Sequence, residues 1–261
     1  MPDPESNIGV WQDRMVSMHR FFIPKPFKQE MQITSRDAHH IIDVLRMAPG
    51  DRLQVVADDG ISFVGEITAV STNTVTVLAK EILRETHEPD VRISLLQGLA
   101  KGDKMEFIIQ KAVEIGVADI FPVAMAHSVV VLEPARAEKK TERWQKIAEA
   151  AAKQSKRDSI PAVHEVMTLD QILRQEKWDL LLVAYESENQ VSLKEALQAH
   201  KEAKNIGVII GPEGGLSNEE VEAARKQGGI AVSLGRRILR TETAGLVAAT
   251  AILYETDNLG I

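Results

Sequence analysis

Apolar and polar positions follow two different rhythms along this chain. From residue 18 to about 88, short β-type runs dominate. Arg52–Ala57 and residues 61–70 are rich in β-branched side chains and flank Asp58-Asp59-Gly60, a turn signature that predicts a hairpin. A third run, 74–78, follows Ser71-Thr72-Asn73. One helix interrupts them. Ala38, Ile41, Ile42 and Leu45 recur at helical spacing, Ser35 or Asp37 is placed to cap the start, and Pro49-Gly50 ends it. Several short strands and one helix in so short a stretch predict a small β-barrel.

Residues 85–90 are polar, contain Pro89, and read as a linker. Beyond them strands and helices alternate. Residues 91–96 predict a buried strand. Residues 103–115 predict a helix with Phe107, Ile108, Ala112 and Ile115 at helical spacing, closed by Gly116. A strand at 118–123 and a basic helix follow. The runs 179–184 and 206–210 are continuously apolar, as in strands covered on both faces. This order predicts an α/β domain, doubly wound around a mostly parallel sheet.

Composition narrows the chemistry. Of 261 residues, 44% are hydrophobic and 26% charged, ordinary for a globular protein. No apolar run approaches the ~20 residues that span a bilayer. There are no cysteines, which excludes disulfides, thiolate catalysis and Cys-ligated zinc and fits a reducing cytoplasm. The adjacent pair His39-His40 points apart on a helix, so no metal is expected. Residues 1–17 lack a secretory signal and are expected to be a disordered extension, or the product of an upstream start, ahead of Met18. The net charge of −7 argues against indiscriminate nucleic-acid binding. Its distribution is uneven, however. Between 134 and 157, Arg136, Lys139, Lys140, Arg143, Lys146, Lys153, Lys156 and Arg157 face only Glu138, Glu142 and Glu149. A helix of that kind either meets a phosphate backbone or is a solvated face with i,i+4 pairs.

Two glycine-bearing loops carry the strongest functional signal. Gly211-Pro212-Glu213-Gly214-Gly215-Leu216-Ser217 follows the apolar run 206–210, and Leu234-Gly235-Arg236-Arg237-Ile238-Leu239-Arg240-Thr241-Glu242-Thr243-Ala244 follows Ile230-Ala231-Val232-Ser233. Both stand where a buried strand gives way to a helix, which is where open α/β sheets bind ligands. Ser217 and Glu220 form a capping-box signature. Neither loop is a Walker A or Gly-x-Gly-x-x-Gly phosphate fingerprint. The second loop mixes apolar residues with Arg236, Arg237 and Arg240, which suits a flat ring with polar edges. The helix after it is apolar all round, as in a core or a subunit interface. Trp144 is expected to be a packing anchor of the basic helix.

Together with Gln97-Gly98-Leu99-Ala100-Lys101-Gly102-Asp103-Lys104, Gln110-Lys111-Ala112-Val113-Glu114-Ile115-Gly116, Ala148-Glu149-Ala150-Ala151 with Lys153-Gln154-Ser155 and Arg157, and the start His19-Arg20-Phe21-Phe22, these loops occur in an order that resembles the RsmE-type 16S ribosomal RNA uridine-N3 methyltransferases of the SPOUT superfamily. The resemblance runs from residue 18 to the C-terminus. It implies an RNA-binding PUA-like β-barrel over 18–88 and a methyltransferase domain over 89–261 with a trefoil knot. It further implies a homodimer and a target uridine near the 3′ end of 16S ribosomal RNA in the small ribosomal subunit. S-adenosylmethionine would be held by Ile210, Gly211, Pro212, Glu213, Gly214 and Gly215 of the first loop. Leu234, Gly235, Ile238, Leu239, Arg240, Thr243 and Ala244 would hold it from the second.

Methyl transfer to N3 needs alignment, removal of the N3 proton and a donor for the developing uracil anion. Arg240 and Arg236 are candidates for the donor, and Glu213 or Glu242 for the base. Glu242 alternatively serves the dipole of its own helix. Arg20, Arg46, Lys153 and Arg157 are expected on RNA phosphates. Two rivals remain at this point: a SPOUT methyltransferase on another RNA, such as a transfer-RNA ribose 2′-oxygen, and a non-catalytic RNA-binding protein of ribosome assembly.

Overall fold

The computed structural model describes residues 18–83 and 86–259. The expected extension 1–17 lies outside them. The chain divides into two compact units between His87 and Glu88.

The N-terminal unit is a five-stranded sheet. Its strands are β1 (Arg20–Ile23), β2 (Glu30–Thr34), β3 (Arg52–Ala57), β4 (Ser62–Ser71) and β5 (Thr74–Ile82), paired in the order β1-β3-β4-β5-β2. The predicted hairpin is the antiparallel β3–β4 pair. Register shifts between Val64 and Gly65 and between Ile67 and Ala69 bend β4 against β5, the bending that such irregularities produce. The sheet curls around Phe21, Ile33, Ile41, Leu53, Phe63 and Val77. Its ladder stays open between β1 and β2 among the described residues, so this is a curled sheet rather than a hydrogen-bonded closed barrel.

The expected helix is present in altered form. Helix α1 (Ser35–His39) runs straight into a π-helical turn, His40–Val44. Neither Ser35 nor Asp37 caps it. Thr34 holds the N-cap position without a side-chain bond, and Ser35 is already inside the helix at φ 59°. Burial of Ala38 and Ile41, both 0% exposed, holds this segment where a cap does not.

The C-terminal unit alternates strand and helix. In order it contains β6 (Arg92–Gly98), α2 (Lys104–Ile115), β7 (Asp119–Ala124), α3 (Pro134–Gln154), β8 (Ala162–Val163), β9 (Met167–Thr168) and α4 (Leu169–Gln175). Then come β10 (Leu180–Ala184), α5 (Leu193–Ala199), β11 (Asn205–Ile210), α6 (Asn218–Lys226), β12 (Ile230–Val232) and α7 (Thr241–Glu255). The strands pair in parallel in the order β12-β10-β11-β6-β7-β8, with β9 on β7. The apolar runs β6, β10 and β11 are its centre and are buried along nearly their whole length, as strands covered on both faces must be. The chain leaves β6 toward β7 and β8, then returns to β10, β11 and β12 on the other side. That reversal places the C-terminal ends of β6, β11 and β10 side by side, where the crevice of an open sheet lies.

Local signals end the helices where they were expected to. Ser217 and Glu220 make both bonds of a capping box at α6, and Gly116 closes α2 at φ 121°, a conformation that favours glycine. Trp144 is 1% exposed and anchors α3. Among the described residues, no helix is long and apolar enough to cross a membrane.

Candidate active site

The two glycine-bearing loops meet. With the C-terminal end of β10 and the first turn of α7 they enclose a cleft of about 360 Å³, a size typical of small-molecule sites. Its apolar surface comes from Ile210, Leu216, Leu234, Ile238, Leu239 and Ala244. Glycines let the walls close up. A Cβ at Gly98 would lie 2.5 Å from the Pro212 nitrogen, and one at Gly211 would lie 2.9 Å from the Gly215 carbonyl carbon. Only hydrogen fits at either position.

A buried hydrogen-bond chain fixes the corner. Gln97 is 0% and Thr241 7% exposed. The Gln97 Nε2 amide donates to Thr241 Oγ1 at 2.8 Å, and the Thr241 hydroxyl donates to the Gly211 carbonyl at 2.7 Å. The end of β6, the first loop and the start of α7 are thereby tied at one point. Buried polar groups are costly unless paired, so this chain specifies one arrangement of the loops.

The mouth of the cleft is a charge network. Lys104, at the start of α2, places its ammonium 3.1 Å from Glu213 Oε1 and 3.2 Å from Glu242 Oε2. Arg240 approaches Glu242 Oε1 at 3.9 Å from the solvent side, with its side chain 83% exposed. The carboxylates raise the pKa of Lys104. Burial pushes Glu213 upward, but the Lys101 N–H, its own N–H and Lys104 outweigh that and hold it below the usual carboxylate range. Glu242 is lowered first by its own backbone N–H at the helix start, against some desolvation, and then by Lys104 and Arg240. Both acids therefore stay ionised at neutral pH.

Comparison with known proteins gives these features a context. Residues 87–253 match the RNA methyltransferase domain family and residues 33–80 match the RNA methyltransferase PUA domain family. The ribosomal RNA small subunit methyltransferase E of Bacillus subtilis (strain 168) is 40% identical over 253 residues, covering 93% of this chain and 98% of that protein. The chain belongs to the ribosomal RNA small subunit methyltransferase E family. A member from Mesomycoplasma hyopneumoniae (strain 232) is 31% identical, over 91% of this chain and 100% of its own length. The Neisseria gonorrhoeae member, crystallised bound to S-adenosyl methionine, is 31% identical with a TM-score of 0.77, covering 90% of this chain and 97% of that one.

Of the thirteen residues expected to hold the cofactor, eleven line the cleft and two, Gly214 and Thr243, do not. A Cβ on Gly214 would meet His127 Cβ at 2.7 Å, so its missing side chain serves loop packing. Thr243 belongs to a separate apolar groove on α7, with Leu246, Val247 and Tyr254. One residue further along a helix turns by about 100°, which carries Thr243 off the face that Glu242 presents. Of the expected catalytic residues, Glu213, Glu242 and Arg240 converge at the mouth. Arg236 does not line the cleft; its neighbour Arg237 does.

The structure buries two of the residues expected to contact RNA. Arg157 is 3% exposed. It donates to the Val113 and Val117 carbonyls at 3.1 and 2.5 Å and pairs with Glu88 at 2.5 Å. A guanidinium so engaged clamps the fold and has little surface left for a phosphate. Arg20 is also buried, at 9%. Lys153 pairs with Glu149 at 2.8 Å, and Arg46 is exposed with φ 55°.

Lys104, Gln97, Thr241, Tyr185 and Glu186 went unassigned in the sequence. The first three stand in motifs that carried the resemblance, yet only the fold shows what they touch. Tyr185 and Glu186 line the cleft directly after β10. The apolar run before them was the available signal.

Proposed function

We propose that this protein transfers the methyl group of S-adenosylmethionine to N3 of one uridine near the 3′ end of 16S ribosomal RNA, acting on the small ribosomal subunit in the cytoplasm. The observation that carries it is the convergence of Arg240, Lys104, Glu213 and Glu242 at the mouth of a cleft with apolar walls. That convergence occurs in a chain whose Neisseria relative was crystallised with S-adenosyl methionine.

The residues present fit the cofactor. Ile210, Leu234, Ile238 and Leu239 offer apolar contact to an adenine ring. The missing Cβ at Gly235, where nothing lies within 4 Å, lets a ligand approach the backbone. We assign the loops 211–217 and 234–240 to hold it, within the trefoil-knotted chain path of the SPOUT fold. When bound, S-adenosylmethionine supplies a methyl group activated by its sulfonium.

The chain's own residues then have four tasks. Backbone groups of both loops orient the cofactor, which supplies alignment worth roughly 7–11 kcal/mol in well-oriented systems. Arg240 reaches the uracil carbonyl oxygens and takes up the negative charge that spreads there as N3 loses its proton. Lys104 holds Glu213 and Glu242 in place. Glu242 in turn holds Arg240. Glu213 and Glu242 stay ionised and are far stronger bases than water, so we assign one of them to take the N3 proton as the methyl group replaces it.

We place the second copy of a homodimer on the apolar groove of α7, where Val247 and Tyr254 are exposed; sedimentation as a monomer at micromolar concentration would remove it.

The test of the reaction is transfer of labelled methyl into small subunits that lack the modification, with the product nucleoside identified by mass spectrometry. 3-Methyluridine is expected. A different methylated nucleoside overturns the target. No product, with no rise in melting temperature on adding S-adenosylmethionine, overturns the enzyme reading.

A further inference from the structure

Helix α3 divides into three strips, and one of them has no role in the site described above. At 3.6 residues per turn, the buried Trp144, Ala148, Ala151 and Ala152 form the core-facing strip. Glu138, Glu142 and Glu149 fall together on a second. Arg136, Lys139, Arg143 and Lys146 recur at intervals of three and four on a third, and all four are exposed. Glu142 stands three residues after Lys139 and four before Lys146, along one edge of the strip, and Arg136 and Arg143 form the other edge. Lys153 and Glu149 form an i,i+4 ion pair on this helix, and that pair stands outside the strip.

The strip begins beside the cleft. Arg143 Nη2 lies 2.8 Å from Glu106 Oε2 while its side chain stays 66% exposed. Glu106 is two residues beyond Lys104, which lines the mouth. Past the end of α3, Arg157 meets Val113 and Val117 at the end of α2. The two helices therefore run in the same direction, and the N-terminal half of α3 lies at the cleft end of the sheet. From Arg136 to Lys146 the strip extends about 15 Å at 1.5 Å per residue, long enough for a run of phosphates.

We propose that Arg136, Lys139, Arg143 and Lys146 form a phosphate-binding surface that holds the backbone of the RNA substrate beside the cleft. The inference rests on the RNA substrate proposed above. Charge complementarity selects the occupant. On a protein of net charge −7, a polyanion is repelled over most of the surface and drawn to a local basic strip, which orients it as well as binding it.

The test combines Arg136→Gln, Lys139→Gln and Lys146→Gln, leaving Arg143 on Glu106. A control triple, Lys194→Gln, Lys201→Gln and Lys226→Gln, removes the same charge elsewhere. Binding of a decoding-region fragment of 16S ribosomal RNA is measured against salt concentration. Each lost phosphate contact lowers the log–log slope by roughly 0.7, so the strip triple is expected to lower it by about 2 and the control to leave it unchanged. The strip triple is also expected to raise KM for the small subunit more than it lowers kcat. The S-adenosylmethionine-induced rise in melting temperature, unchanged in both triples, verifies the fold. An unchanged slope in the strip triple, or an equal fall in the control, overturns the proposal. If the parent protein makes no 3-methyluridine and the strip triple still lowers the slope, the proposed reaction fails and the strip stands.

Discussion

Replacing Arg157 with methionine separates a structural role from an RNA-binding one. In the fold its guanidinium satisfies two backbone carbonyls and neutralises Glu88. Methionine fills much of the same volume and makes none of those bonds. Glu88 keeps the N–H groups of Asp158 and Ser159 at 2.8 and 3.1 Å, and its side chain is 24% exposed. The loss therefore falls at the lower end of the ~3–5 kcal/mol that breaking a buried ion pair costs. At roughly 2–4 °C per kcal/mol for a unit of this size, about 3 kcal/mol lowers the melting temperature by about 6–12 °C. Circular dichroism measures that shift, and RNA binding is then compared well below both midpoints, where affinity is expected to be unchanged.

Acid supplies a second readout of the same pair. Burial raises the pKa of Glu88, but Arg157, the Asp158 N–H and the Ser159 side chain outweigh it, so the folded value lies below the unfolded one. Such a group stabilises the fold above its unfolded pKa, and the contribution disappears as pH falls through the folded value. The gap in melting temperature between parent and Arg157→Met is therefore expected to shrink in acid. A variant that melts within a degree or two of the parent and yet binds RNA tenfold more weakly would refute the structural assignment.

Other substitutions test the site itself. Thr241→Val strands the Gly211 carbonyl and the Gln97 amide; calorimetry is expected to show a loss of about 1–3 kcal/mol and weaker cofactor binding, and unchanged values would disprove the corner's role. Gly98→Ala drives a methyl group into the Pro212 backbone, so cofactor affinity is expected to fall at least tenfold by titration. Lys104→Met removes a cation that lowers both carboxylates; the acid limb of the pH–rate profile is expected to move to higher pH, with Lys104→Arg restoring it in part. Arg240→Met is expected to lower kcat by about 10²–10³ with cofactor binding retained, and a variant at full rate would remove Arg240 from the mechanism.

The local grammar of the chain was legible in its residues. Asp58-Asp59-Gly60 marked a hairpin, Ser217 and Glu220 a capping box, Gly116 a helix end, and the apolar runs at 206–210 and 179–184 the centre of a parallel sheet. These features arise from backbone propensity and burial over a few neighbouring residues, which sequence order displays directly. The glycine-bearing loops were legible for the same reason, since only glycine permits such close approach. What the tertiary structure decided was which charges meet. Lys104 stands 109 residues from Glu213, and Gln97 stands 144 from Thr241; nothing local announces either pair. Arg157 has the composition of a phosphate ligand, and burial alone made it a clamp. The energy of a charged group depends on its desolvation and its partners, and both are set by segments that come together only when the chain folds.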